Sequence, residues 1–141
     1  MKKSTIVIGL EAAEPRLIEE WMAAGHLPNS SKISQEGTYN RLNNTVNYCG
    51  VPTECSTTKP LWATFSSGCR ADTLGYWDKV SYNRDSYEIV CDIVESGYSY
   101  KEYPPFYALG EDYKVAAPDV PVTTLAENVN GVQILGWGGH L

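Results

Sequence analysis

The chain has 141 residues, 43% of them hydrophobic, with 17 acidic against 11 basic side chains and a formal net charge of -6. That length suits one domain with an ordinary core. The acidity and the lack of a basic stripe argue against binding a nucleic-acid backbone, and they disfavour phosphate-rich substrates unless metal ions supply positive charge.

At the N-terminus, "MKKSTIVIGLE" pairs two lysines with an apolar run that Glu11 interrupts after Leu10. The run is too short for a secretory core or a membrane span, so the expectation is a cytoplasmic chain with no membrane partner. Cys49, Cys55, Cys69 and Cys91 are irregularly spaced without C-x-x-C, which reads as free thiols and a poor metal site.

"STIVIGL" is a β-branched run ending in glycine, the pattern of a buried parallel strand. In "EPRLIEEWMAAGHLPN", Pro15 suits a first helical turn and Glu14 suits its dipole. Leu17, Ile18, Trp21 and Met22 recur at helical spacing, and Gly25 reads as the stop. A second short helix is expected from about Ser30 to Glu36, ending at Gly37, and "TYNRLNNTV" reads as a strand or extended edge. "TTKPLWATFSSG" opens a helix at about Pro60 and closes it near Gly68.

Cys69 to about Pro104 carries mixed signals, and "SYEIVCDIV" fits either strand or helix. Irregular segments of this length in compact domains usually serve a lid or a substrate loop. "YPPFYALG" suggests a short proline-started helix ended by Gly110. "YKVAAPDVP" and "NGVQILGW" read as two further buried strands, with Asn130-Gly131 as a turn. Strand–helix alternation of this kind predicts an α/β fold, mainly a parallel sheet flanked by helices. The chain stops at "GWGGHL", directly after a strand, which suggests a larger fold continuing past residue 141.

In open α/β sheets ligands gather at the carboxyl ends of strands. Glu11 falls at that end of the first expected strand, as an exposed turn residue or as a cation ligand. Thr57 and Thr58 stand at a helix entrance, where a hydroxyl either caps the helix or faces an incoming phosphate. A threonine alcohol needs a base or a metal to act as a nucleophile. The two histidines, His26 and His140, lie far off in sequence, so metal activation is the better partner for Thr58. The aromatic run Tyr98, Tyr100, Tyr103, Phe106 and Tyr107 either packs a long insertion or walls a pocket for an aryl or nucleoside group.

Two blocks together resemble the type I phosphodiesterase/nucleotide pyrophosphatase family of the alkaline phosphatase superfamily. "IVIGLEAAEPRLIEEWMAAGHLPNSSKISQEGTYNRL" is similar to that family's opening strand, acidic metal ligand, helix and "G-x-L-P-N-L" segment. "TTKPLWATFSSGCRADTLGYWD" is similar to its nucleophile block, "P-x-W-T-T-F-x-T-G" followed by "P-x-x-H-G". The resemblance implies an alkaline phosphatase-like three-layer fold, with residues 1–141 as one incomplete domain at its N-terminal end. It places Thr58 on the nucleophile and Glu11, with Thr58, on a centre of two divalent metal ions, Zn²⁺ or Mn²⁺. The implied activity is hydrolysis of a small-molecule phosphate ester or nucleotide through a threonyl intermediate.

Glu11 stands for the family's aspartate, Ala12 for its glycine and Leu74 for the histidine before Gly75. The remaining aspartate and histidine ligands are expected beyond Leu141, so the segment alone should not be a competent catalyst. The related sulfatases carry C/S-x-P-x-R, whereas here Thr58-Lys59-Pro60-Leu61-Trp62 keeps only the proline. Two other classes remain open. One is a degenerate α/β module that binds a partner without catalysis. The other is a flavodoxin-like nucleotide domain, although "GLEAAEP" lacks its Gly-rich turn.

Overall fold

A computed structural model describes residues 4–42, 44–55, 57–77, 80–91 and 102–135. The chain divides into two compact units, Met1–Asn43 and Asn44–Leu141, each taken in turn here.

The first unit holds two helices, α1 (Pro15–Ala23) and α2 (Pro28–Glu36). Glu14 is the N-cap of α1, and its carboxylate accepts the Leu17 N–H at 2.8 Å. Proline follows at the first helical position, where no intrahelical donor is lost. Gly25, at φ +78°, ends the helix as the sequence predicts, with the His26 N–H donated back to the Trp21 carbonyl at 2.8 Å. The second helix starts two residues earlier than expected, at Pro28, and stops at Gly37. Beyond it, Glu19 of α1 accepts from both Tyr39 Oη at 2.9 Å and Arg41 Nε at 2.8 Å. That pairing ties the extended chain back onto the helix.

No strand forms over Ser4–Leu10, which corrects the expectation of a buried first strand. Ile6 is 85% and Ile8 76% exposed. A strand exists through hydrogen bonds to a neighbour, and the three sheets among the described residues are pairs of other segments.

In the second unit an antiparallel hairpin joins β1 (Thr45–Tyr48) to β2 (Val51–Glu54). Its two-residue turn, Cys49-Gly50, has both φ positive, at 50° and 83°. That is the geometry that matches strand twist. The Asn47 side chain accepts the Gly50 N–H at 2.8 Å. Next come α3 (Thr58–Ser67) and the single turn α4 (Ala71–Leu74), closed by Gly68 and Gly75 in left-handed conformations. Val46 of β1, Cys55 and Ala71 pack together against Leu61, while Ala63 packs against Leu74 and Tyr76.

A second antiparallel hairpin pairs β3 (Val80–Asn83) with β4 (Glu88–Cys91), which settles residues 88–91 of "SYEIVCDIV" as strand. Residues 92–94 and the two tyrosines Tyr98 and Tyr100 lie outside the described residues. Asn83 Oδ1 accepts from the Asp85 and Ser86 N–H groups and shapes the turn. No helix forms at "YPPFYALG". The Ala108 N–H reaches only the Pro105 carbonyl, and the Phe106 N–H is donated outward to Ser66 at the end of α3. That donation takes the amide away from local helical pairing.

The last two elements, β5 (Gly110–Val120) and β6 (Val129–Leu135), pair in parallel, but they are not the buried strands expected, since Ala117 alone of β5 is buried and Val132 and Ile134 of β6 are 61% and 58% exposed. The fold is therefore mixed α/β with one parallel pair and two antiparallel hairpins among the described residues. Residues 121–128 make the return, shorter than the roughly dozen residues a parallel crossover usually takes. A side chain replaces the missing ladder, with Gln133 both accepting from the Ala126 N–H at 3.0 Å and donating to its carbonyl at 2.9 Å. Val122 and Thr123 are buried beneath.

Asn130-Gly131 is not a turn but the interior of β6. The ladder shifts register between Gly110 and Val115, and Asn130 bridges the gap by donating to the Glu111 carbonyl at 2.8 Å and accepting from Lys114 Nζ at 3.1 Å. Beside it, a Cβ added to Gly131 would stand 1.9 Å from the Val115 carbonyl oxygen. The composition that normally marks a hairpin here marks a close backbone approach.

Two outcomes follow from these contacts. Gly131→Ala is expected to cost about 3 kcal/mol, at the upper end of overpacking effects, read from denaturant midpoints. The Glu14 carboxyl lies below its ordinary 4.5 because of the Leu17 N–H and then Arg16. That contribution is complete above the unfolded value and is lost as pH falls through the lower folded one. Protection of the Leu17 amide from hydrogen exchange should therefore drop as pH falls below 4.5, and Glu14→Gln should flatten the profile.

Candidate functional site

The ten-residue helix α3 starts at Thr58, two residues ahead of the sequence expectation. Thr57 is its N-cap, with extended backbone, and its side chain makes no capping hydrogen bond. Its hydroxyl instead lies 3.7 Å from Cys55 Sγ. Thr57 caps by backbone, its carbonyl accepting the Leu61 N–H at 3.3 Å, and Thr58 occupies the first helical position, half-buried.

The intrahelical ladder begins at Leu61, four residues after the Thr57 N-cap, and Pro60 stands before it where a missing donor costs nothing. The backbone amides of Thr58 and Lys59 precede it, at the positive end of the helix dipole. Two faces of α3 differ sharply. Pro60, Ala63 and Ser66 are buried, and they are small. Thr58, Trp62 and Phe65 share the other face at steps of four and three, the spacing that places helical side chains side by side.

Along that face the rings meet edge to face. Trp62 and Phe65 have centroids 5.4 Å apart, and Phe65 and Phe106 5.7 Å. Phe106 then meets Tyr107 at 5.5 Å. Tyr107 is buried, which pushes its phenol upward, with a hydrogen bond to Thr123 acting the other way. Of the aromatic run singled out in the sequence, Phe106 and Tyr107 thus pack onto α3 and the base of the β5–β6 return. This row was missed in the sequence because its members come from two segments 40 residues apart in the chain. The spacing Thr58-Trp62-Phe65 was the available signal.

Glu11 belongs to the first unit, exposed, in a turn with Ala12. Ala12 has φ 53°, and its carbonyl accepts the Glu14 N–H at 3.0 Å. The left-handed conformation strains any residue with a Cβ. It falls where glycine is the residue expected from the resemblance, and Gly75, within the second block, is left-handed as well.

Glu11 and Thr58 are oxygen donors of the right type for a divalent cation, but two donors fall short of the four or more such ions take. No group of three His, Cys, Asp or Glu side chains able to hold a metal occurs among the described residues. A shallow depression is lined by Asn44, Val46, Cys55, Leu61, Thr64, Arg70 and Ala71 and does not include Thr58. Arg70 is engaged there by Asp72, which its guanidinium holds below the usual carboxylate range. Cys49, Cys55 and Cys69 are free thiols, as their spacing predicts. No helix among the described residues is long and apolar enough to cross a membrane.

Compared with protein-family models, curated proteins and solved structures, the chain matches none.

Ala12→Gly is expected to raise stability by about 1 kcal/mol, the release of left-handed strain less the entropy glycine adds to the unfolded chain. A thermal melt checks it, and an unchanged or lower midpoint means the turn does not hold Ala12 left-handed.

Proposed function

We propose that this chain carries the nucleophile of a metal-dependent phosphoric ester hydrolase, with Thr58 as the attacking alcohol. The observation that supports it best is the position of Thr58, half-buried in the first turn of a ten-residue helix. There the preceding amides and the dipole face a bound phosphate. The two sequence blocks and the left-handed geometry at Ala12 and Gly75 add support. The alkaline phosphatase-like three-layer architecture and a cytoplasmic setting belong to the same proposal.

The chemistry is in-line displacement at phosphorus. Thr58 Oγ forms a bond to phosphorus while the opposite P–O bond breaks. The hydroxyl proton passes to water and the departing oxygen takes one up, so charge and protons balance. The positive end of the α3 dipole would steady the equatorial oxygens. Water then attacks the threonyl phosphoester, releasing the alcohol and a phosphate product. Two divalent cations, Zn²⁺ or Mn²⁺, would be held in part by Glu11 and Thr58 and would supply charge neutralisation. The donors among the described residues do not complete that set, and no step here runs through it.

The test is hydrolysis of bis(p-nitrophenyl) phosphate by the protein as its full reading frame encodes it, with Zn²⁺ or Mn²⁺ added. Thr58→Ala should lower the rate at least about 1,000-fold, the scale for loss of a covalent nucleophile. Thr58→Ser should keep part of it and accumulate a phosphoseryl adduct visible by mass spectrometry. Full activity in Thr58→Ala would remove the alcohol from the reaction.

A further inference from the structure

We draw no further inference here: the strongest candidate, the exposed apolar face that Ala116 and Pro118 of β5 make with their partners Val132 and Ile134 of β6, carries nothing because nothing in the structure shows what covers it.

Discussion

The second unit depends on how closely α3 can be approached on one side. Pro60, Ala63 and Ser66 form its buried face, and none has a side chain longer than three heavy atoms. Small residues let neighbouring elements come near the helix axis, and close packing in turn excludes water from the backbone bonds beneath. The β1–β2 hairpin gains its seat through Val46 and Cys55 against Leu61 and Ala71. Leu74 and Tyr76 close over Ala63. With the small face committed inward, the phase of the helix turns Thr58, Trp62 and Phe65 the other way. Thus the position of the hydroxyl follows from packing residues that take no part in any chemistry.

The same helix closes at its far end through an interaction from another segment. The turn at Pro105–Ala108 gives its Phe106 amide to Ser66 rather than to a local carbonyl. Helix carbonyls in the last turn lack intrahelical donors, so this bond satisfies one of them. It also brings the Phe106 ring against Phe65. Ser66 contributes its carbonyl, while its buried hydroxyl has no hydrogen-bond partner among the described residues. A desolvated hydroxyl costs free energy, which the packing of α3 offsets.

Where sequence and structure agree, the governing signal is local. Pro15 with Glu14, Gly25, Gly37 and Gly68 mark helix ends because caps act within one turn of the chain, Gly25 and Gly68 in the left-handed conformation and Gly37 with a negative φ. That β5 and β6 are strands was legible from "YKVAAPDVP" and "NGVQILGW", but their exposure was not. Where they differ, a distant partner decides. Ser4–Leu10 has the composition of a strand, but composition supplies no hydrogen-bonding neighbour. "YPPFYALG" has a helix-starting proline, yet its amide is claimed by Ser66. Asn130-Gly131 has turn chemistry, and both residues serve a ladder that shifts register at β5. For the candidate site, Thr58 at a helix entrance was readable from Pro60 and Gly68. The aromatic row was not, because Phe106 joins it only through the fold.

If Thr58 is the attacking alcohol, the paired threonines divide the labour between them. Thr57 holds extended backbone and gives its carbonyl to the first intrahelical bond, so it sets where the helix begins. That fixes Thr58 one step inside, with helical φ and ψ and a restricted χ1, since β-branched side chains are stiff there. A nucleophile benefits from such restriction, because attack in line with a leaving group tolerates little rotational freedom. Serine at position 58 would keep the oxygen and lose the γ-methyl that limits its rotamers. If the alcohol is the attacking group, the methyl therefore contributes to rate through orientation alone. The paired threonines are then one device: the first places the helix start, and the second uses the stiffness of its own side chain to aim an oxygen.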